Sequence, residues 1–517
     1  MILRSHTPLP LVVLSVAVAG WVMDLGHPDT NWWPLTLLGA AMMMSAARGL
    51  SVKAAVLVGA VAGLSFYGIH IWWLTVYLGL IPWIALVLAQ TALFAAGFVV
   101  LTLAWRWVGS VWPSRLGRLG FLPLVLAAGW TIREVVAAEW PYGGFNWGRL
   151  AHAHSESPFT HWVAWLGTSG FGFLLAWLTA LGVALLLEQR MSGVHRLGVA
   201  ASSLVFVLVW PAFPATMTDT IRVLGVQGNA DAGLFADYQR GDNLRDHYEV
   251  TKGLYGEEVD VVIWPENASD IDPLRYDDAR TIVDEVTRNM GAPLVVGAIT
   301  RDGDDTFNSV LLWEEVGSGQ TAATDQYDKI HPVPFAEYLP NREFFYPLAP
   351  DLFDLVPRDY TFGERDTVFT IDGHTAGIAI CYDIVDNEIF WQMMDEGADI
   401  IFAPTNNADF GQTDQSEQQL AIARLRGIEM GRSVVNVSTV GTSAILTPTG
   451  ETLDRLPTYT EGYMIEDVPT ASHTTPAVIV GHSLEWFIAG FGLGAVVVAG
   501  LSRRGLPSWQ QRDPFDP

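Results

Sequence analysis

The sequence contains a single cysteine, Cys381, where an apolar strand-like run gives way to a polar turn in Gly377-Ile-Ala-Ile-Cys-Tyr-Asp383. A lone thiol cannot form an intramolecular disulfide, so it is either a small buried apolar side chain or a nucleophile. As a nucleophile it would attack an ester or amide carbonyl, which requires a base or a nearby positive charge to form the thiolate. The chemistry that Cys381 suggests is therefore covalent catalysis through a thioester.

Two other segments offer a base and a positive charge. Glu266 follows the apolar run 261–265, and Lys329 leads into a proline-rich stretch. A carboxylate can take the thiol proton and return it to a leaving group, while an ammonium and the backbone N–H of Tyr382 can stabilise the tetrahedral oxyanion. Considered singly, Glu266 is equally well explained as a surface acid and Lys329 as a salt-bridge partner. Convergence at strand ends, the usual layout of an α/β active site, would unite the three residues.

The elements that must position these residues alternate from residue 221 onward. Apolar β-rich runs predict strands at 221–226, 259–264, 293–299, 309–313, 368–371, 375–380, 400–403, 434–438 and 443–447. Amphipathic periodicity predicts helices at 277–290, 387–396 and 415–430,. Such alternation is typical of an α/β layered domain with a largely buried sheet.

Long apolar runs dominate the chain up to about residue 214 and return near its end. A hydrocarbon core requires about 20 apolar residues per helix. The runs predict eight membrane-spanning helices, at 9–25, 32–47, 54–78, 82–105, 119–138, 159–187, 197–214 and 484–501. We therefore expect a membrane domain at 1–217 with seven helices, an α/β catalytic domain at 218–475, and an eighth helix with a short cytoplasmic tail at 476–517.

The Lys and Arg residues between these segments predict their orientation. Arg4 and the basic clusters at 48–53, 106–118, 190–196 and 503–504 all fall on one side, and Arg149 is the main exception. Positive charge is concentrated on the cytoplasmic side of membrane proteins. The α/β domain is therefore predicted to lie outside the cytoplasm.

Two features of the membrane half allow a functional role as well as a structural one. Arg133 and Glu134 lie inside the fifth apolar segment, where an ionic pair is either a packing device or a functional site,. The loop 139–149 is rich in aromatic residues and glycine, which suits either a surface that meets lipid or a simple anchoring belt,. Within this loop, Trp147 and Arg149 are predicted to contact substrate.

The formal net charge of −26 is carried mostly by the α/β half. Phosphate binding needs a basic surface, so nucleic acid is excluded as a partner. The acidity is best explained as a solvated surface.

The contexts of Glu266, Lys329 and Cys381 resemble those of the carbon-nitrogen hydrolase, or nitrilase, superfamily, whose domain is a four-layer αββα sandwich. Together with the eight apolar segments, the whole chain resembles the bacterial apolipoprotein N-acyltransferase family. The resemblance includes the loop 143–149, the segments 307–309 and 329–340, the cysteine segment and 423–432. It implies an eight-helix membrane domain joined to a nitrilase-like α/β domain.

The resemblance also implies roles for individual residues. Glu266 would be the general base, Lys329 the oxyanion-stabilising lysine and Cys381 the acylated nucleophile. Glu337 matches a second glutamate that assists near the lysine, with a structural acid that orients Lys329 as the alternative. Asn308 matches another important position, for which a turn-capping amide is the alternative.

Two positions depart from the family pattern. Asp383 stands where many relatives carry Glu, which keeps a carboxylate beside the nucleophile and Tyr382 but shortens it by one methylene. Asp409 stands where a larger or neutral residue is more usual, and this change bears on substrate contacts.

The implied reaction moves a fatty acyl chain from a membrane phospholipid, through a cysteine thioester, to the α-amine of the N-terminal diacylglyceryl-cysteine of an apolipoprotein. It requires no metal or nucleotide cofactor, and it places the protein in the bacterial cytoplasmic membrane. A membrane-anchored amidase with water as the acceptor would use the same three residues. A non-enzymatic binding module would leave their convergence unexplained.

Overall fold

The computed structural model describes residues 7–230, 239–354, 359–507 and 515. Arg4, which entered the orientation argument, lies outside them. The chain divides into two compact units, a helical one within Met1–Phe213 and Pro476–Pro517 and an α/β one within Pro214–Thr475.

The helical unit consists of apolar helices joined by short connections. They are α1 Leu9–Asp24, α2 Pro34–Ala46, α3 Val52–His70, α4 Leu74–Tyr77, α5 Leu80–Val111, α6 Leu122–Glu139, α7 Val163–Leu187, α8 Gly193–Val209 and, at the end of the chain, α15 Pro476–Arg503. An apolar helix overlaps each of the eight predicted segments. In five places the helix is long and apolar enough to cross a membrane, whereas α1, α2 and α8 are shorter.

The predicted segment 54–78 is not one helix. Helix α3 ends at His70, and the short α4 follows after a turn. Gly79 then adopts a φ of 81°, a left-handed conformation that ends α4 and redirects the chain into α5,. Apolar composition continues through this turn, so hydropathy alone could not reveal it.

A buried carboxylate organises α6. Glu134 accepts hydrogen bonds through Oε1 from the Arg133 guanidinium at 2.9 Å, the Trp130 indole at 2.8 Å and the Leu150 backbone N–H at 3.1 Å. The Arg133 guanidinium also lies over the Trp130 ring, 5.0 Å from its centroid. The predicted intramembrane pair is therefore hydrogen-bonded and buried.

Arg149 extends this cluster to α7 and α15. Its guanidinium lies 3.9 Å from Glu134 and 3.7 Å from Glu485, and it donates a hydrogen bond of 2.6 Å to Ser169. Buried charges are tolerated when they are paired and hydrogen-bonded. The cluster thus links α6, α7 and α15, and loss of one charged group would leave another buried without its partner.

The α/β unit contains twelve strands and six α-helices among its described residues. The strands are β1 Met217–Gln227, β2 Val261–Ile263, β3 Leu294–Asp302, β4 Asp305–Gly317, β5 Gln320–Asp328, β6 Val368–Ile371, β7 His374–Ile378, β8 Ile400–Thr405, β9 Ser433–Ser438, β10 Ala444–Leu446, β11 Thr452–Arg455 and β12 Gly462–Ala471. The helices are α9 Asp242–Lys252, α10 Asp277–Met290, α11 Arg342–Phe345, α12 Pro350–Phe353, α13 Asn387–Asp395 and α14 Gln415–Met430.

The strands form two six-stranded sheets, ordered β12-β1-β2-β3-β4-β5 and β11-β10-β9-β8-β7-β6. In each sheet three central strands run parallel, β1-β2-β3 and β7-β8-β9, and the outer strands are antiparallel. Parallel strands need crossovers, and α10 and α14 lie in two of the connections between them,.

Successive side chains of the first sheet point to opposite faces, and both faces are buried. On β2, Val261 and Ile263 join a core that contains Phe402 of the second sheet, whereas Val262 points to the opposite side with Val283 of α10. A strand covered on both faces has an almost continuous apolar sequence, which is why these strands were predictable. The result is two sheets packed face to face with helices outside, the layering that the resemblance implies.

The nine predicted strands all overlap observed ones, and the predicted helices correspond to α10, α13 and α14. The strands β5, β11 and β12 and the helices α9, α11 and α12 were not predicted. Strand β5 is polar and mostly exposed or half-buried over 320–326. An edge position needs no apolar run, so the sequence carries little signal for such strands.

We expect Glu134→Ala to lower the free energy of unfolding by about 3–5 kcal/mol, because the Arg133 guanidinium would stay buried without its carboxylate. Glu134→Gln retains an acceptor for the indole and the backbone N–H, so its loss should be smaller. Unfolding of the full chain in detergent measures both. Equal stability of wild type and Glu134→Ala would contradict this account of the cluster.

Candidate active site

Glu266 is placed by the end of β2 and by a close approach of β3. The strand ends at Ile263, and Glu266 is 5 % exposed. A Cβ added to Gly297 of β3 would lie 2.2 Å from the Pro265 carbonyl oxygen and 2.7 Å from the Glu266 Cα. Only glycine allows so close an approach, so Gly297 lets the backbone at Pro265 and Glu266 lie directly against β3.

Cys381 begins a 3-10 turn, Cys381–Val385, directly after β7 and the residues that continue it. Its φ of 50° lies in the left-handed region, which residues other than glycine seldom adopt. A residue with this strained backbone conformation persists only where the surrounding structure holds it in place. Arg426 of α14 holds the far end of the turn by donating to the carbonyl oxygens of Ile384 at 3.0 Å and Val385 at 2.8 Å. The thiol is partly buried.

Lys329 follows β5 and is almost completely buried. Its backbone N–H donates to the Asn308 carbonyl oxygen at 2.9 Å, which continues the pairing of β4 with β5. Its Nζ lies 2.9 Å from Glu337 Oε2 and 4.0 Å from Glu266 Oε1. Two carboxylates therefore share one buried ammonium.

Asn308 joins the two carboxylates. Its Nδ2 donates to Glu266 Oε1 at 2.7 Å and to Glu337 Oε1 at 3.2 Å. Glu337 also accepts the backbone N–H of Val333 at 2.6 Å, so the loop after Lys329 folds back on itself. The Asn308 side chain thus contacts the carboxylates rather than capping a turn.

The charges in this cluster perturb one another. Burial raises the pKa of Glu266 above its ordinary value of 4.5, against the opposing charge of Lys329. Burial opposes the charge on Lys329, but Glu337 and Glu266 raise its pKa well above the usual range. Burial and the Glu266 charge raise the pKa of the Cys381 thiol to about 12, and Lys329 counteracts this rise. The protonated thiol of Cys381 and the charged ammonium of Lys329 are therefore favoured.

Asp383 supports the turn from inside the sandwich. Its Oδ2 accepts the Tyr327 hydroxyl at 2.9 Å and the Ile380 backbone N–H at 3.0 Å. Its Oδ1 is buried without a hydrogen-bond partner, and burial raises the pKa of this carboxyl to about 7. Asp383 is therefore a buried support of the turn that begins at Cys381.

The remaining predicted site residues lie in different places. Tyr382 is half-buried next to Cys381, and Asp409 is half-buried in a 3-10 turn after β8. Trp147 and Arg149 belong to the helical unit: the Trp147 ring packs against Trp73 with centroids 5.7 Å apart, and Arg149 is engaged in the ionic cluster. Substrate contact by these two residues stays a prediction.

Two polar residues beside the thiol were not predicted. Thr405 ends β8, and Gln419 of α14 donates to the Cys381 carbonyl oxygen at 3.1 Å. Thr405 is the last residue of a buried strand and comes shortly after the predicted run 400–403, and this position was an available signal. Gln419 carries no such signal because it lies inside a helix, near Gln415 and Gln418, and does not follow a strand.

Comparisons with known proteins agree with this architecture. Residues 19–181 match the model of the apolipoprotein N-acyltransferase N-terminal domain, and residues 226–475 match the carbon-nitrogen hydrolase model. An amidase of known structure from Nesterenkonia sp. is 18% identical, aligns over 50% of this chain and 94% of its own, and has a TM-score of 0.38. The fold and the domain matches define a membrane protein with a carbon-nitrogen hydrolase domain.

Relatives of full length narrow this class. The apolipoprotein N-acyltransferase of Mycolicibacterium smegmatis is 30% identical over 94% of this chain and 85% of its own length. That of Vibrio cholerae is 26% identical over 93% of this chain and 96% of its own. The chain belongs to the apolipoprotein N-acyltransferase family. It is accordingly an acyltransferase and a bacterial membrane protein.

We expect Gly297→Ala to slow acylation of Cys381 by about 100-fold. The added methyl group would overlap the Pro265 carbonyl oxygen and the Glu266 Cα, so the Glu266 carboxylate would move away from the thiol. Gly253→Ala is the matched control, since a Cβ there meets only a carbonyl oxygen at 3.4 Å. Single-turnover labelling of the thiol by a phospholipid donor measures the rate. A wild-type rate in Gly297→Ala would show that this contact does not position Glu266.

Proposed function

We propose that Glu266, Lys329 and Cys381 catalyse transfer of a fatty acyl chain from a membrane phospholipid to the α-amine of an apolipoprotein's N-terminal diacylglyceryl-cysteine. The observation that carries these roles is the single buried cluster in which Lys329 contacts Glu266 and Glu337 beside the thiol. Each member meets one need of thioester chemistry: a base, a fixed positive charge and a nucleophile.

In the first half-reaction, Glu266 accepts the Cys381 proton and the sulfur attacks the ester carbonyl of the phospholipid. Negative charge then develops on the carbonyl oxygen, and Lys329 and the backbone N–H of Tyr382 stabilise it. The C–O bond to the lysophospholipid breaks, and Glu266 returns the proton to the departing alkoxide. A thioester on Cys381 remains.

In the second half-reaction, the acceptor amine attacks the thioester carbonyl. Glu266 takes a proton from the attacking nitrogen, an amide forms, and the carbon–sulfur bond breaks to release the thiolate, to which Glu266 returns the proton to restore the thiol. Glu337 and Asn308 assist throughout by keeping the Lys329 ammonium and the Glu266 carboxylate in register.

Water would complete the same cycle as a hydrolase if it reached the thioester first. The membership of the chain in the N-acyltransferase family and its long apolar helices favour two lipid substrates. Both substrates carry acyl chains, which a bilayer-embedded protein can receive without extracting them into water.

We further propose that eight helices span the bacterial cytoplasmic membrane, with domain limits of 1–217, 218–475 and 476–517, and that the α/β domain lies on the extracytoplasmic side. The distribution of Lys and Arg supports this orientation,. The three shorter helices have 16, 13 and 17 residues, so they would span with help from flanking residues or local thinning of the bilayer,.

Incubation of the protein with a phospholipid carrying a labelled acyl chain should place the label on Cys381 through a bond that hydroxylamine cleaves. Cys381→Ala should abolish labelling, because the chain has no other cysteine. Addition of a diacylated lipopeptide should move the label to its amine. Steady release of free fatty acid instead would identify a hydrolase, and labelling of Cys381→Ala would overturn the mechanism.

The rate of Cys381 acylation should fall with decreasing pH at a midpoint above 4.5, because Glu266 must be deprotonated to act and burial raises its pKa. Glu266→Gln should slow acylation by about 100- to 10,000-fold and remove this acid limb. Glu249→Gln changes an exposed glutamate of α9 and serves as the control. An acid limb that persists in Glu266→Gln would assign the base to another group.

A further inference from the structure

A buried amide of α14 contacts the residue at which the turn after β7 begins. Gln419 is 3 % exposed, and its Nε2 lies 3.1 Å from the Cys381 carbonyl oxygen, 3.8 Å from the Cys381 Sγ and 2.9 Å from the Thr405 Oγ1. Gln419 reaches the cysteine from a helix, whereas Glu266 and Lys329 follow β2 and β5. The amide is therefore a further support of Cys381, supplied by a different element.

The Cys381 carbonyl oxygen determines which end of the Gln419 amide faces it. A carbonyl oxygen only accepts hydrogen bonds, so the NH₂ group of Gln419 points toward Cys381. The Oε1 at the other end of the amide accepts from Asn407 Nδ2 at 2.8 Å and from Gln415 Nε2 at 3.0 Å. Because both ends of the amide are hydrogen-bonded, its plane is held in one orientation.

The NH₂ group of Gln419 has two hydrogens and three neighbouring acceptors. Its contacts of 2.9 Å to the Thr405 hydroxyl oxygen and 3.1 Å to the Cys381 carbonyl oxygen have ordinary hydrogen-bond lengths,. These two oxygens take up both hydrogens, and the sulfur at 3.8 Å is a secondary contact. Gln419 therefore acts on the backbone of Cys381, while Thr405 fixes the other hydrogen of the same amide.

The backbone of Cys381 needs such a contact. Its φ of 50° is left-handed, and a residue other than glycine keeps this conformation only where its surroundings hold it,. Arg426 and Asp383 hold neighbouring parts of the turn, whereas Gln419 donates to the strained residue itself. Without this hydrogen bond, the peptide group that follows the Cys381 Cα would be free to rotate.

We propose that Gln419 is a positioning residue that aims the Tyr382 backbone N–H at the oxyanion by holding the Cys381 carbonyl oxygen. That oxygen and the Tyr382 N–H belong to one planar trans peptide group, in which they point in opposite directions,. Fixing the oxygen on the side of α14 therefore fixes the N–H on the far side. The proposal rests on the proposed roles of Cys381 as nucleophile and of the Tyr382 N–H as oxyanion donor.

The proposal predicts a loss that is confined to the chemical step. An oxyanion contact exists only in the transition state, so misaligning it lowers the rate at saturating donor and leaves the half-saturating donor concentration unchanged. With a phospholipid that carries a labelled acyl chain, Gln419→Leu should slow single-turnover acylation of Cys381 by about 10- to 100-fold. Gln419→Glu keeps the size of the side chain but turns an acceptor toward the carbonyl oxygen, and it should be slowed at least as much.

Ile428→Ala is the matched control on the same helix. Ile428 is buried and lies against Gly450, between β10 and β11, so its truncation weakens the packing of α14 without removing the amide. It should lower the unfolding temperature and leave the acylation rate at saturating donor at the wild-type value. A wild-type rate in both Gln419 variants, an equal slowing in Ile428→Ala, or a change in the half-saturating concentration alone overturns the positioning role.

Hydrogen exchange tests the same contact without a substrate. The backbone N–H groups of Asp383 and Asp386 donate within the turn, at 2.9 Å and 3.0 Å. In the full-length protein in detergent, Gln419→Leu should speed exchange in the peptide that covers residues 381–386, and Ile428→Ala should not. Unchanged exchange in Gln419→Leu overturns the hold on the turn. Absence of thioester formation in the wild type would reject the proposed function and leave the exchange comparison intact, so the two ideas fail separately.

Discussion

The site depends on the pairing of the buried Lys329 ammonium with the carboxylates of Glu266 and Glu337. A charge in a protein interior is stable only when it is paired and hydrogen-bonded. Glu266 and Glu337 satisfy this requirement together, and Asn308 holds both carboxylates with one amide group. The loop after β5 must fold back to deliver Glu337, and β2 must end where Glu266 reaches the same point. One electrostatic constraint therefore connects three separate segments of the chain.

The thiol of Cys381, the proposed nucleophile, is buried beside charged groups. The turn after β7 lies at the edge of the core between the sheets, where burial raises the pKa of the Cys381 thiol. The same burial strengthens every interaction that favours the thiolate, because fewer water molecules compete. Arg426 and Asp383 hold the turn in its left-handed starting conformation. The proposed reactivity of Cys381 therefore depends on preorganised neighbours rather than on an acidic thiol.

The strands and helices were predictable where both faces are covered. Strand β2 and helix α10 carry apolar patterns that follow directly from burial. The edge strand β5 was missed because its partly exposed backbone tolerates polar side chains. In the helical unit, hydropathy located every apolar helix but did not reveal the break at Gly79, since a turn between apolar helices has the same composition as the helices.

Residue type and position after an apolar run predicted that Glu266, Lys329 and Cys381 lie together, because thioester chemistry needs a base, a cation and a nucleophile whatever the fold, and the structure places the three in one cluster. The tertiary structure alone decided how they are supported. Asn308 bridges two carboxylates, and Gln419 reaches the nucleophile from a helix 38 residues further along the chain. Such contacts depend on which buried polar groups face one another after the sheets pack, and no local pattern in the sequence encodes that pairing.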